Sequence, residues 1–599
     1  GIYVADSVVT LAENTFVDNA ATWSGSYGRG GGICVDGGEV VVTRNVITAN
    51  FGGGFPGFPS TARGLGGGIA AIGGQTVIRH NTVINNGGTN ADNWGMGGGI
   101  YGSAGGVVIE DNEIADNYGS LYQTGWGGGV AISASQASVL DNVIRANTAS
   151  SDTIGAGGGI YVYSETARIA GNRIVDNDAS LADRGYGGGL YADQSAPWVE
   201  GNTIQRNTAA YGQNGHGGGV QIGLCPVYTI TNNIIAHNAA SNQGSGTRIV
   251  DEGAGTLAHN TWVSNTGPLA DGIGLYVGMG SDAALINNII VGNKHGILNA
   301  DVGASVVTAT HTLFENNGAP YNAGGVTSVQ EILPPADLLA SNYHLGLNSN
   351  ALDQGLPLAW VTDDIDGDPR IYGAAPDVGA DERSCLAWVD GITYPAVQQA
   401  VDAAASGETV RIAAGTCYEN VSITKTVTLE GGWNTAFTSR GTDPSSLTTI
   451  DGLGLGRVIS ITEVSGSIAP ILDGLTLTHG DATGLGNDLS GLLGAYDTGG
   501  GIYSYRADTE VWDCIIRGNT ASTAGVGWGG GIGFIHGDVF VRDSWVVDNK
   551  ASTVSRGYGG GIYGRHGTAT IRETRVADNV ATQSSGESGV GGGWCRAWR

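Results

Sequence analysis

Triple glycines begin at residues 30, 66, 97, 127, 157, 187 and 217, and again at 499, 529, 559 and 591. A unit of roughly thirty residues therefore recurs along much of the chain. One such unit, Gly157 to Tyr186, reads GGGIYVYSETARIAGNRIVDNDASLADRGY. Its apolar residues come in short runs, Ile160 and Val162, then Ile169, then Ile174, each closed by Gly or Asn. That is the period of β-strands, several to a unit. Asparagines form a second marker. Asn14/Asn19, Asn45/Asn50, Asn81/Asn86, Asn112/Asn117, Asn142/Asn147, Asn172/Asn177 and Asn202/Asn207 stand five apart. The series loosens through Asn233/Asn238, Asn260/Asn265 and Asn288/Asn293. Later only the second member survives, at Asn519, Asn549 and Asn579, with Cys514, Ser544 and Thr574 in the first place.

A unit this short cannot bury an apolar face alone and must stack on copies of itself. Identical strands stacked coil on coil pair in parallel, and a parallel crossover is right-handed. A corner Asn can pass hydrogen bonds to the Asn one coil on, so its buried amide is satisfied within the repeat. Such a ladder is expected of Asn19, Asn50, Asn86, Asn117, Asn147, Asn177, Asn207, Asn519, Asn549 and Asn579. Gly at the other corner supplies positive φ and close backbone approach. The expected fold is all-β: a right-handed parallel β-helix in two segments, with one short capping helix.

Composition narrows the partners. The 599 residues include 106 Gly but only 14 Pro, which excludes collagen and Pro/Gly-rich disorder. Acidic residues outnumber basic ones 55 to 27, a net charge of -28 that argues against a nucleic-acid partner. No apolar run is long enough to span a membrane as a helix. The six cysteines form no CxxC pair.

The repeats resemble the parallel β-helix superfamily of secreted bacterial proteins, which includes pectate-lyase-like enzymes and many non-enzymatic surface proteins. The pairing of GGGI, GGGV or GGGL with Phe16-Val-Asp-Asn19 and its IxxN equivalents is also similar to the repeats of polymorphic outer-membrane adhesins. The repeat covers roughly 1–317 and 495–593. Between them, NYHLGLNSNALDQG (342–355) leads to DDIDGDPRIYGAAPDVGADE (363–382). This block resembles the C-terminal end of β-helix surface proteins carrying a variable sorting anchor. Asp353, Gly355, Asp366, Gly367, Pro369, Arg370, Asp377, Gly379, Ala380 and Glu382 fill its pattern.

Tyr394–Ala404 then reads as a short amphipathic helix, with Val397, Ala400, Val401 and Ala404 on one face. It is similar to the N-terminal cap of secreted β-helices. The expected organisation is 1–317 repeats, 318–383 an irregular anchor-like block, 384–425 a cap, and 426–599 repeats. Cys385 and Cys417 flank the cap and are read either as a disulfide or as two free thiols.

Catalytic patterns of β-helix enzymes occur only in fragments. Gly215-His216-Gly217 and Asp363-Asp364 are both present, but lie about five coils apart in sequence, on the order of 24 Å. His216 holds a position that varies from coil to coil, which reads as a variable corner. The column before the Asn holds Asp18, Asp116, Asp176, Asp548 and Asp578, read as a solvated face. Asp364, Asp366 and Asp368 alternate as calcium ligands do, with an Asx-turn cluster as the rival reading. Phe51, Phe55 and Phe58 crowd one insertion, read as a partner site or a self-packed loop. Trp126, Tyr186, Trp528 and Tyr558 precede glycine triplets, read as corner packing or a sugar-stacking stripe.

The chain opens as a repeat entered at its third glycine and closes just after Gly593 in VGGGWCRAWR, with the two ends in register. Head-to-tail assembly with further copies into a filament is therefore expected, joined at Gly1, Ile2, Tyr3, Trp594, Cys595 and Trp598; an incomplete polypeptide is the rival explanation. The expected function is a non-enzymatic structural or adhesive β-helix at the cell surface, without cofactor unless calcium binds. Surface glycans or other proteins are further candidate partners. A polysaccharide lyase, a glycoside hydrolase and a glycan-binding module are the alternatives.

Overall fold

The computed structural model describes residues 1–599 except 23–26, 55–61, 134–135, 164–165, 267–271, 341, 442–447, 465–466, 487–495 and 598–599. It divides into two compact units, Gly1–Glu382 and Arg383–Arg599.

In the first unit each coil contributes strands to up to four faces. In the coil from Gly157 these are Ile160–Tyr163 and Ala167–Ala170 on one long sheet, then Arg173–Val175, Asp178–Ser180 and Arg184–Tyr186. Each strand pairs in parallel with its counterpart one coil on, as Ile160 does with Leu190 and Ile174 with Ile204. The chain is a right-handed parallel β-helix. Ile160, Val162, Ala167, Ile169 and Ile174 point inward and are fully buried, stacking on equivalent residues above and below.

The corners explain the markers. Asn177 donates through Nδ2 to Asn207 Oδ1 (2.9 Å) and to the carbonyls of Ile144 (2.9 Å) and Val175 (3.0 Å). Its own Oδ1 accepts from the backbone N–H and Nδ2 of Asn147, at 3.0 and 2.9 Å. The second ladder runs in this way from Asn19 to Asn317, and again from Asn519 to Asn579. The residue before each corner Asn takes left-handed backbone, as at Asp18, Asp116, Asp176, Asp548 and Asp578 (φ 54–57°). Asp, Asn and His tolerate that conformation best among non-glycine residues, which accounts for the acidic column without any shared ligand. The first Gly of each triplet is also left-handed, as Gly157 is at φ 64°.

Repeat strands continue to Thr327–Val329, and the chain then turns back over the outside of the Asn-flanked sheet. Asn232 Nδ2 donates to the Asp363 carbonyl (2.7 Å), Asn287 Nδ2 to the Leu356 carbonyl (2.8 Å), and the Ala380 N–H to Thr261 Oγ1 (3.0 Å). Leu345, Ala351 and Val378 cover Ile289 and Leu313. The buried Arg370 guanidinium donates to Asn232 Oδ1 (2.6 Å) and the Ala380 carbonyl (2.8 Å). The sequence placed Asp363 some five coils beyond His216. The fold-back corrects this, because Asp363 meets the coil that follows His216, although on a different face.

The second unit starts with an antiparallel hairpin, Ala387–Val389 with Ile392–Tyr394, that pairs against Thr409–Ala413. Helix α1 (Val397–Ala403) buries Val397, Ala400 and Val401. No side chain of its own caps it. Instead Glu419 accepts the N–H groups of Val397 (2.6 Å) and Gln398 (2.9 Å), and Lys425 Nζ donates to the Ala404 carbonyl (2.7 Å). Acid at the N-terminus and base at the C-terminus also match the helix dipole. Cys385 and Cys417 are joined by a disulfide at the cap. Parallel coils then run to Trp594–Ala597.

Candidate functional site

On the long sheet, one outward position follows the first inward Ile, Leu or Val of each coil. From the chain start it reads Tyr3, Cys34, Ala70, Tyr101 and Ala131, mostly small residues after the first coil. It then changes character to Tyr161, Tyr191, Gln221, Arg248 and Tyr276, each in register with the next. At about 4.8 Å per coil these five span roughly 19 Å. A neighbouring row, just before the glycine triplets, carries Ala156, Tyr186, His216 and Gln243.

The two rows interlock. Tyr161 and Tyr191 rings lie 5.6 Å apart, Tyr191 and Tyr186 6.1 Å, and Tyr186 stacks on His216 at 5.5 Å and 12°. The Tyr161 hydroxyl donates to Asp193 Oδ2 (3.4 Å). A Cβ on Gly223 would sit 3.2 Å from the Tyr191 hydroxyl and 3.7 Å from Asp251 Oδ2. The glycine therefore makes room for that ring to lean toward the acid. The Arg248 guanidinium lies 5.6 Å from the Tyr276 ring centre, and its Nε donates to Gln243 Oε1 (2.9 Å).

Among the described residues, three buried polar atoms here find no hydrogen-bond partner: Asp193 Oδ1, His216 Nδ1 and Gln221 Oε1. Gln221 is only 2% exposed. Buried polar groups are almost always paired, so these three atoms on adjacent coils are exceptions within an otherwise packed cluster of rings. Burial sets the charges. It lowers His216 to about 4, helped by Arg248 and Arg184, so the ring is neutral near neutral pH. Burial also raises the Tyr161, Tyr191 and Asp193 pKa values, and lowers that of Arg248. The face thus offers stacked rings, a neutral imidazole, an amide and a guanidinium whose one side-chain hydrogen bond among the described residues uses Nε.

The sequence pointed to only part of this face. Tyr186 and His216 stand out in the sequence; Tyr161, Tyr191, Gln221, Arg248 and Tyr276 do not. Their signal was present, as five larger or polar residues in succession at a column otherwise mostly small. Trp126 packs edge-on against Trp94 (5.7 Å) and stands two coils before Tyr186 in the same row. In the second unit Trp528 is buried against Tyr563 (4.8 Å) and Tyr558 (6.4 Å). Phe51 packs on Tyr118 (6.4 Å), while Phe55 and Phe58 lie outside the described residues.

Asp364 and Asp366 have separate hydrogen-bond partners. Asp364 Oδ1 accepts the N–H groups of Asp366 (2.9 Å) and Asp368 (2.8 Å), and its Oδ2 accepts that of Glu382 (2.9 Å). Asp366 turns instead to His344, 2.8 Å away. Burial alone would lower the His344 pKa, but Asp381 and Asp366 outweigh it and hold the ring protonated, up to about 10. Burial raises Asp364 and Asp381 as well. Of the residues expected at a joint, Ile2 and Tyr3 pair with Ile33 and Cys34 on the side that Gly1 enters, and Trp594 and Cys595 pair with Ile562 and Tyr563. Trp598 lies outside the described residues.

A protein family described as the right handed beta helix region matches residues 1–209 and 188–331, more than half of the chain. The chain belongs to the right-handed β-helix family. No curated protein matches this β-helix in sequence. Among solved structures it is similar to pectate lyase Pel9A, at 14% identity and a TM-score of 0.26, covering 62% of this chain and 97% of that one. It is also similar to the PL6 family alginate lyase AlyGC, at 12% identity and a TM-score of 0.18, covering 92% and 97%. A mutant of AlyGC gives 11% and 0.22, covering 95% and 87%. These likenesses are of fold. They nevertheless stand against the expectation of a non-enzymatic chain, because the three named are structures of polysaccharide lyases. No helix among the described residues is long and apolar enough to cross a membrane.

Proposed function

We propose that this β-helix is an extracellular protein that takes a glycan chain bearing anionic groups along the Tyr161–Tyr276 face. The observation that carries this reading is the in-register row Tyr161, Tyr191, Gln221, Arg248 and Tyr276, one residue per coil, beside Tyr186 and His216. Sugar rings present apolar faces to aromatic side chains and hydroxyls to polar ones, which is the mixture found here. Arg248 supplies the cation for a carboxylate or sulfate, its Nε held by Gln243 Oε1. The strand spacing presents one row position about every 4.8 Å, which suits an extended polymer running along the axis.

Acidic and neutral oligosaccharides titrated calorimetrically against the full chain test this. Acidic ones are expected to bind, with Arg248→Gln and Tyr191→Ala each weakening binding by about tenfold or more. Equal affinity in both variants, or no glycan binding at all, would overturn the reading.

A lyase reading of the same face rests on His216, whose neutral ring keeps Nδ1 unpartnered within electrostatic reach of Arg248. Elimination beside a carboxylate needs a base to take the proton and a cation to stabilise the charge that develops. Unsaturated products from polygalacturonate or alginate, abolished in His216→Gln, are the expected result. Products that persist undiminished in that variant would remove His216 from the chemistry.

A further inference from the structure

The fold-back segment carries a second cluster that the glycan face does not use. His344 and Asp381 are buried, and Asp366 is partly open to solvent. His344 Nε2 lies 2.8 Å from Asp366 Oδ2 and 4.0 Å from Asp381 Oδ1. One ligand atom from each of the three residues falls within 4.8 Å of the other two. Donors bound to a zinc-sized ion at about 2.0–2.2 Å sit about 3.4 Å apart, within the range of these separations.

The far atoms of the buried pair are held from behind. His344 Nδ1 faces the Asn342 carbonyl at 3.1 Å, which leaves Nε2 aimed at the two carboxylates. Asp381 Oδ2 accepts the Leu345 N–H at 2.7 Å, which leaves Oδ1 on the histidine side. Both anchors come from one short stretch, 342–345. Metal-binding histidines characteristically donate their other ring N–H to a backbone carbonyl, and ligating carboxylates are hydrogen-bonded in turn.

We propose that His344 Nε2, Asp366 and Asp381 bind a divalent transition-metal ion. The ion takes the place of the proton between His344 and Asp366, and the solvent-facing side of Asp366 leaves a position for water. One imidazole nitrogen with two carboxylates suits zinc, cobalt or manganese; calcium takes six to eight oxygens. The site is therefore distinct from the Asp364-Asp366-Asp368 loop that the sequence suggests, because Asp364 is occupied by backbone N–H groups.

The test titrates chelator-treated full-length protein with cobalt(II) while visible absorbance is read, followed by zinc and by calcium. One cobalt per chain is expected, with ligand-field bands that zinc abolishes and a tenfold excess of calcium leaves in place. His344→Gln and Asp381→Asn should each weaken cobalt binding more than tenfold, and Asp368→Asn should leave it unchanged. Should either buried variant fail to fold, Asp366→Asn decides, since its side chain is partly solvent-facing. No cobalt bands and no zinc heat with the wild-type chain would overturn the site. So would binding that survives in all three variants, or binding that Asp368→Asn abolishes.

Discussion

At the scale of single residues, the corner asparagines do the most specific work. Asn177 joins three coils through five hydrogen bonds in a fully buried setting, so Asn177→Leu keeps the volume and strands every partner. With each stranded group costing about 1–3 kcal/mol, the variant should lose on the order of 3–5 kcal/mol, read as a lower urea midpoint for the first unit. His216 makes a prediction of opposite character. Its pKa lies at about 4 in the folded chain against 6.5 for the free side chain, so protonation favours the unfolded state. The stability tied to this shift is complete above pH 6.5 and is lost as pH falls toward 4. For a half-buried ring the loss is on the order of 1–2 kcal/mol after solvent screening. His216→Gln should flatten that part of the pH–stability curve; an unchanged slope would mean that the ring is not desolvated. The sequence made the Asn ladder legible because each rung must repeat the one below. It left the Asp column ambiguous, because an acidic residue chosen for left-handed backbone looks the same in sequence as one chosen for charge. His216 was ambiguous for a related reason: one unusual residue in a variable column carries no period.

At the scale of elements, the glycine triplets set how closely coils can stack. A Cβ on Gly158 would lie 2.4 Å from the Gly188 carbonyl oxygen and 2.5 Å from the Asp178 carbonyl carbon. Both are backbone atoms, so neither can swing aside, and Gly158→Ala should cost about 3 kcal/mol or more. Gly586 has nothing within 4 Å of the equivalent point, and Gly586→Ala should stay within about 0.5 kcal/mol. Chemical denaturation of the two variants checks the contrast; equal effects would show that composition, not close approach, selects glycine. Strand faces and corners could be read from the sequence because apolar period and corner markers repeat together. The fold-back of 330–382 could not. It has no period, and its anchors Asn232, Asn287 and Thr261 lie 131, 69 and 119 residues away from their partners. The tyrosine–arginine face was hidden for a different reason: its members are spaced one per coil, so no local window contains two of its row.

At the scale of the whole molecule, each of the two units has its own main hydrophobic core. One runs from Val4 to Phe314 and the other from Cys385 to Ile562. Each core is continuous along its own stack, and each coil is supported chiefly by its neighbours, so melting of one unit need not melt the other. The cap gives a way to separate them. The Cys385–Cys417 bridge spans a sequence separation of 32, tying the hairpin to the first coil of the second unit. Closing a loop of that length removes about 3–4 kcal/mol of unfolded-chain entropy. The bridge also lies against Glu419, which accepts both helix N–H groups, so releasing it loosens the cap and α1 together. Cys385→Ser with Cys417→Ser should therefore lower the unfolding transition of the second unit by about 3–4 kcal/mol, and leave that of the first in place. Tryptophan fluorescence with Trp262 as the first unit's buried reporter and Trp528 as the second's can follow the two transitions in one denaturant titration. A single transition that shifts as a whole would show that the cores unfold as one cooperative body. Two transitions with only the later-chain unit displaced would establish that each β-helix holds its own stability, with the bridge acting on one alone.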